Sequence, residues 1–227
     1  MAGCSAESTK ADIAYRPAAE PELLRVGKVY VRAFPESLRD LRSPHLSPRA
    51  VADIAGACLL VEPGCIGVAQ ARRDDRRVVG YIIASADAGR LRRRMLARGL
   101  PLVWMWRWLT GRYGLSFRGG LALAGDQVRG WRTASLPGAD CPAAVLSLAV
   151  DPEWQGRGVG RRLLAAGLSR LRALDCPCVR LEVRPDNQAA RRLYESAGFI
   201  RVGRCRDSRG WWEIMLLQLR EARPPHA

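Results

Sequence analysis

The sequence predicts an α/β fold in which helices flank a sheet, with a helical insertion in the middle of the chain. Apolar runs of strand length alternate with segments whose apolar residues recur every three or four positions. The run from 144 to 150 is almost wholly apolar, which is typical of a buried central strand. A basic, tryptophan-rich stretch interrupts the pattern between residues 87 and 141. We therefore expect one domain over residues 11–219, an insertion at 87–141, and flexible ends at 1–10 and 220–227.

The first half of the chain predicts the order strand, helix, helix, strand, strand. The predicted elements are a strand at 13–16, helices at 23–34 and 48–60, and strands at 66–71 and 77–84. Ser47 is a suitable N-cap for the second helix, and Pro48 suits its first position because proline has no N–H to leave unpaired. The charged turn between the last two strands favours a hairpin.

The second half predicts a strand, a helix, another strand and helix, and a final pair of strands. These elements are expected at 144–150, 159–174, 179–183, 187–197, 201–205 and 211–219. The helix at 159–174 has one apolar face, and Gly198 is a suitable residue to end the next helix. The last two strands are expected to pair in an antiparallel manner.

The insertion combines five arginines with an apolar segment. Arg90, Arg92, Arg93, Arg94 and Arg98 precede the sequence LPLVWMWRWL. Three interpretations remain open: a helix that packs on the domain, a lid, or peripheral membrane contact through residues 90–109, with arginines on lipid phosphates. The alternating tryptophans would share one face of a strand but would spread around a helix.

The charge balance is strongly basic, with 37 basic and 22 acidic residues and a formal net charge of +15. Such a charge raises the question of nucleic acid or an anionic surface. Only Lys10 and Lys28 are lysines, so the excess reflects an arginine-rich composition, and we do not expect nucleic acid to be the partner. A positive field is compatible with a polyanionic small-molecule partner.

The cysteines and the N-terminal residues favour the cytoplasm. Seven cysteines, odd in number and without a C-x-x-C pair, predict neither a disulfide framework nor a metal site. A secretory signal has a basic start followed by an apolar stretch, and the first residues show no such stretch. No run reaches the roughly 18 to 20 apolar residues of a membrane span. We expect a reducing, cytoplasmic environment.

The segment from Gln155 to Gly160 has the composition of an anion-binding loop. Its three glycines let the backbone turn tightly between a buried strand and a helix, where several N–H groups and the helix dipole favour an anion. Arginines in this first turn oppose the dipole unless an anion is bound. A P-loop is excluded because no lysine follows Lys28, and the sequence G-R-G-V-G does not match the dinucleotide-binding pattern G-x-G-x-x-G.

Two longer segments resemble the core motifs of the GCN5-related N-acetyltransferase (GNAT) superfamily. SLAVDPEWQGRGVGRRLL is similar to a strand followed by Q-x-x-G-x-G and a helix, and LEVRPDNQAARRLYESAGF is similar to N-x-x-A-x-x-L-Y-x-x-x-G-F. The resemblance covers about residues 145–199. It implies a mixed, mostly antiparallel sheet flanked by helices, and an enzyme that transfers an acetyl group from acetyl-CoA, as co-substrate, to a primary amine.

The resemblance also implies which residues bind coenzyme A. The backbone of three strand residues would pair with the pantetheine arm: Leu148, Ala149 and Val150. The loop and first helical turn would hold the pyrophosphate: Gln155, Gly156, Arg157, Gly158, Val159, Gly160 and Arg161. Asn187 would contact the pantetheine region. No metal is expected.

Two side chains are candidates for the chemistry. Tyr194, which the resemblance places beside the cofactor sulfur, would protonate the leaving thiolate, since a phenol with a pKa near 10 is roughly matched to a thiol near 8.5. Glu182, twelve residues earlier in L-E-V-R, is a candidate base, and this spacing resembles that of the branch of the superfamily that acetylates protein N-termini. A carboxylate is poorly matched to an amine, so Glu182 would act through water or attract the cationic substrate, and a plain surface ion pair is the alternative.

The acceptor amine stays open among a small molecule, an amino sugar and a protein N-terminus. Two alternative functions also remain: a non-catalytic module that binds acyl-CoA, and an acyltransferase that uses a different acyl chain.

Overall fold

The computed structural model describes residues 13–35, 46–72, 77–114, 116, 138, 140–207 and 210–220. The strands within these residues are β1 (Ile13–Pro17), β2 (Ile66–Ala71), β3 (Val78–Ser85), β4 (Ala144–Val150), β5 (Cys178–Val183), β6 (Ile200–Asp207) and β7 (Gly210–Gln218). The helices are α1 (Leu23–Ala33), α2 (Pro48–Val61), α3 (Ala88–Ala97), α4 (Leu100–Leu109), α5 (Val159–Ala173) and α6 (Gln188–Ser196). The expected flexible ends, apart from Arg220, and most of 115–139 lie outside the described residues.

The strands form one seven-stranded sheet in the order β1-β2-β3-β4-β5-β7-β6. Every neighbouring pair in it is antiparallel except β4 and β5, which are parallel and are connected through α5. This confirms the predicted mixed, mostly antiparallel sheet, including the hairpin of β2 and β3 and the final pair of β6 and β7.

Helices cover both faces of the sheet. α5 and α6 pack on one face, where Leu163, Leu164 and Tyr194 join apolar side chains from β3, β4 and β5. α1 and α2 pack on the other face, around Val26 and Tyr81. Both faces of the sheet can pack against helices because successive residues of a strand point to opposite sides of the sheet. We call these the α5 face and the α1 face.

The start of α2 follows the predicted local chemistry. Ser47 has an extended backbone, and its side-chain oxygen accepts a hydrogen bond of 3.3 Å from the Arg49 amide, as an N-cap does. Pro48 occupies the first helical position. The cap therefore ends the preceding segment and sets where the helix begins.

The described part of the expected insertion contains the helices α3 and α4. The tryptophans of α4 divide between two sides, as a helix requires: Trp104 and Trp108 pack toward Ala50 and Tyr113, whereas Trp106 is 67% exposed. Within the described part of the chain no helix combines the length and the apolar character needed to cross a membrane.

The expectation that the cysteines stay unpaired is wrong for one pair. Cys141 and Cys178 form a disulfide, with their Cα atoms 5.7 Å apart. The sequence spacing of 37 residues hid this pair, since the two cysteines come together only because β4 and β5 are neighbours. The bond links the chain just before β4 to the first residue of β5, close to the positions at which these two strands pair.

Candidate active site

A gap between β4 and β5 lies at the centre of the sheet. The two strands pair only at Ala144 with Arg180 and at Val145 with Leu181. Beyond these positions β4 continues along β3 to Val150, and β5 continues along β7 to Val183. The strands therefore diverge, and the backbone of β4 from 146 to 150 presents its β5 side to the gap. The predicted pantetheine-binding residues Leu148, Ala149 and Val150 lie on this edge.

The glycine-rich loop follows directly after β4 and a 3₁₀ turn at Pro152–Trp154. Gly156 and Gly158 have φ of +73° and +76°, a left-handed conformation that side chains other than glycine adopt at a cost. A Cβ atom at either position would meet nothing within 4 Å. These glycines are thus required by backbone conformation, and the space beside them is open.

The amides of the loop are available to an anion. The first hydrogen bond in α5 runs from the Arg162 amide to the Gly158 carbonyl, 3.2 Å away. The amides of Val159, Gly160 and Arg161 therefore lack an intrahelical acceptor, as at any helix N-terminus. Together with the helix dipole they form a site suited to phosphate. This brings the predicted pyrophosphate-binding residues together at one place.

The loop is held in position by its own side chains and by neighbours. The Gln155 amide nitrogen donates to the Val150 carbonyl over 3.1 Å, which fixes the loop to the end of β4. The Arg157 guanidinium lies 5.1 Å from the centre of the Trp154 ring. A Cβ atom added at Gly160 would point inward, where it would contact Leu193 at 3.5 Å.

An ion-pair network fastens α1 and the residue before β3 to the beginning of the loop. Asp151, whose side chain is only 3% exposed, accepts hydrogen bonds from Arg32 at 2.9 Å and Arg77 at 3.2 Å. Glu153 binds the same two arginines at 2.7 and 3.0 Å, and these hydrogen bonds and charges hold its pKa below the ordinary value. The pairs join residues more than 70 positions apart, so sequence analysis missed them.

Asn187 has a structural role that the motif did not reveal. Its side-chain oxygen accepts a hydrogen bond of 3.0 Å from the Ala190 amide and so caps the start of α6. The side chain is exposed, and its Nδ2 group is left to donate elsewhere. Contact with the pantetheine region therefore remains a prediction for that nitrogen.

Tyr194 lies on the α5 face, in the same apolar cluster as side chains from both strands that border the gap, including Val150 and Val183. It is 7% exposed and packs edge-on against Phe199, with ring centres 5.9 Å apart. Burial raises the pKa of the Tyr194 phenol to about 12. The side chain is therefore protonated at neutral pH, where it can act as an acid but not as a base.

Glu182 lies on the other face of the sheet. Its neighbours along β5, Leu181 and Val183, point into the α5 face with Tyr194, so Glu182 points away from it. The carboxylate is 38% exposed and pairs with Arg180 at 3.1 Å. Glu182 and Tyr194 thus flank the gap from opposite faces.

Two polar side chains of the strands around the gap, Cys205 and Ser147, were not predicted from the sequence. Burial, together with the negative charge of the Glu182 carboxylate, raises the pKa of the Cys205 thiol to about 12. Ser147, on the gap edge of β4, is 2.8 Å from the hydroxyl of the fully buried Tyr81. The register of β5, β7 and β6 brings Cys205 to Glu182, and such pairing is a tertiary feature.

Comparisons with known proteins agree with this geometry. Residues 100–199 match the model of the acetyltransferase (GNAT) family. The chain is 58% identical over 55 residues to a mycothiol acetyltransferase of Nocardiopsis dassonvillei, and 54% identical over 59 residues to the N-alpha-acetyltransferase RimI of Mycobacterium tuberculosis. These matches cover 24% and 26% of this chain, and only 17% and 35% of the two relatives.

The fold has solved counterparts. The crystal structure of SsHAT superposes with a TM-score of 0.71 at 24% identity, over 92% of this chain and 100% of the other. The sheet with its central gap, the loop at the start of α5 and the match to the family model agree with one another. Residues 100–199 are therefore similar to the acetyltransferase (GNAT) family, and the described chain has the fold of this solved structure.

Proposed function

We propose that the chain transfers an acetyl group from acetyl-CoA to a primary amine, directly and without an acetylated enzyme residue. The observation that carries this proposal is the gap between β4 and β5, which has an anion-binding loop after one strand and a candidate acid and a carboxylate on opposite faces. A gap open to both faces suits a reaction in which the amine arrives on one side and the thiol leaves on the other.

The cofactor-binding groups are backbone atoms for the most part. The amides from Gly156 to Arg161 would hold the pyrophosphate, and the β5 side of β4 would pair with the amide groups of the pantetheine arm. Acetyl-CoA supplies the thioester that is to be cleaved. Because these donors belong to a loop and a strand fixed by Gln155 and Asp151, they orient the thioester without having to reorganise.

Tyr194 would give its proton to the departing thiolate. With a phenol pKa of about 12 and a thiol pKa near 8.5, the transfer is uphill by roughly 5 kcal/mol, compared with about 2 kcal/mol for an unburied tyrosine. A thiolate that forms in the same apolar surroundings is itself poorly solvated, which raises its affinity for the proton and narrows this difference. Burial also keeps water from competing as the donor.

Glu182 would attract the cationic amine on the α1 face and accept its proton through water. Its exposure leaves room for substrate, and the ion pair with Arg180 holds the carboxylate in place. We propose a protein N-terminal amine as the acceptor, because the Glu182 to Tyr194 spacing and the similarity to an N-alpha-acetyltransferase both favour it. An amino sugar is the second candidate, favoured by the similarity to mycothiol acetyltransferases.

The proposal is tested by release of free thiol from acetyl-CoA with a panel of acceptors: short peptides with a free N-terminus, amino sugars and small amines. Tyr194→Phe should lower kcat by about 100-fold or more, as loss of a general acid does, and leave the Kd for coenzyme A unchanged. Tyr15→Phe is the matched control, since Tyr15 lies on the outer strand β1 and should keep full activity.

The outcomes separate the function from its mechanism. Thiol release at the wild-type rate by Tyr194→Phe would remove Tyr194 as the acid and leave the transferase assignment intact. Tight binding of coenzyme A with no thiol release for any acceptor would instead favour an acyl-CoA-binding module. Release from longer acyl-CoA esters but not from acetyl-CoA would favour a different acyl chain.

A further inference from the structure

α4 presents a broad apolar surface that the transferase site does not use. Five large side chains of this helix are between 45% and 67% exposed: Leu102, Val103, Met105, Trp106 and Leu109. At 100° per residue they cover an arc of about 160°. The remaining side of the helix is anchored, because Trp104 and Trp108 pack inward and Arg107 pairs with Asp53 of α2. We call the five exposed side chains the α4 apolar surface.

Positive charge is concentrated in the same segment of the chain. Residues 88–112 contain seven arginines and no acidic residue. Four of the arginines on or just after α3, Arg90, Arg93, Arg94 and Arg98, are exposed, and none forms a salt bridge within the described part of the chain. Gly99, with a φ of +67°, makes the tight turn that places α4 directly after them. The long side chains can extend several ångströms from the helix.

We propose that the α4 apolar surface docks on a lipid bilayer that contains anionic phospholipid. Leucine, methionine and tryptophan side chains on one projecting helix would enter the boundary between headgroups and acyl chains, and the arginines of α3 would bind lipid phosphates. The charges select this occupant. A second copy of the chain is disfavoured, since face-to-face docking would bring two sets of these arginines together without counter-charges.

The test is sedimentation of the full chain with vesicles of phosphatidylcholine alone and of phosphatidylcholine mixed with phosphatidylglycerol. We expect binding to the mixed vesicles at low salt, at least about tenfold weaker binding to neutral vesicles, and loss of binding as salt screens the arginines. Leu102→Ser with Trp106→Ser should abolish binding. Each arginine removed, in Arg93→Gln and Arg94→Gln, should lower the partition coefficient about fivefold.

Leu174→Ser is the matched control, because Leu174 is 50% exposed at the far end of α5 and should bind as the wild type does. All substituted side chains are exposed, and thermal unfolding should confirm that the variants fold. The proposal is overturned if the wild type does not sediment with the anionic vesicles, or if Leu102→Ser with Trp106→Ser binds them normally. Self-association of the wild type that this double variant removes would assign the surface to a second copy instead.

Discussion

Alanine at Gly158 separates the two requirements that meet at the glycine-rich loop, backbone conformation and space for an anion. Gly158 is the N-cap of α5 with φ of +76° and ψ of 5°. An alanine in this left-handed conformation costs about 1 to 2 kcal/mol. Because a Cβ atom there meets nothing within 4 Å, we expect no further steric cost, and the variant should fold.

The same methyl group should strongly affect ligand binding. It would project into the open space beside the amides of Val159 and Gly160, where the pyrophosphate is proposed to lie. We expect the Kd for coenzyme A to rise by about tenfold or more, through steric exclusion and loss of charge-assisted hydrogen bonds. Pantetheine, which lacks the pyrophosphate, should bind Gly158→Ala as it binds the wild type.

Gly160→Ala, in the first turn of α5, is the control. Its Cβ would point inward and meet Leu193 and Val150 at 3.5 and 3.6 Å, an ordinary van der Waals contact. Alanine is also the better helix former by up to about 1 kcal/mol, so the two variants should differ in unfolding free energy by about 2 kcal/mol. Urea denaturation measures this difference, and titration calorimetry measures both ligands.

The reasoning is refuted if Gly158→Ala binds coenzyme A with wild-type affinity, since the methyl group would then lie away from the anion. Equal weakening of coenzyme A and pantetheine would also refute it, because the effect would then be a general distortion of the gap and not a loss at the pyrophosphate.

Two further predictions concern stability. Cys141→Ser removes the disulfide, which spans a 37-residue separation, and should lower the unfolding free energy by up to about 4 kcal/mol. A reducing agent should lower the unfolding free energy of the wild type by the same amount. If reduction leaves the stability of the wild type unchanged, as it should leave that of the variant, the result contradicts the bond. The pKa of the Tyr194 phenol is about 12 in the folded chain, against 10 when unfolded. The contribution of this difference to the unfolding free energy is complete below pH 10 and is lost as the pH rises toward 12. Denaturation at stepped alkaline pH should show a shallower decline for Tyr194→Phe than for the wild type.

Local chemistry accounts for much of what could be predicted from the sequence. Ser47 and Pro48 set the start of α2 because capping depends on adjacent residues. The tight turn at Gly156 and Gly158 could be predicted because glycine is the residue that adopts a left-handed backbone at little cost. The strand of residues 144–150 was predicted to its ends because a buried strand needs an unbroken apolar run.

The burial of the tryptophans in the expected insertion could not be predicted from the sequence pattern. Tryptophans at alternate positions fit a strand or a helix, and only the folded chain decides that Trp104 and Trp108 face inward while Trp106 faces solvent. The disulfide between Cys141 and Cys178 was likewise beyond reach, since pairing depends on which strands are neighbours.

By itself the sequence determined the order of elements and the glycine-rich loop, because each follows from residues close together in the chain, whereas the mixed sheet was implied by the resemblance of two longer motifs to a known superfamily. The tertiary structure alone decided that β4 and β5 separate after Val145, and that Glu182 and Tyr194 lie on opposite faces of the resulting gap. It also decided that Arg32 and Arg77 hold Asp151 at the start of the loop. These features join segments distant in sequence, and their positions follow from strand register and helix packing, which no local pattern encodes.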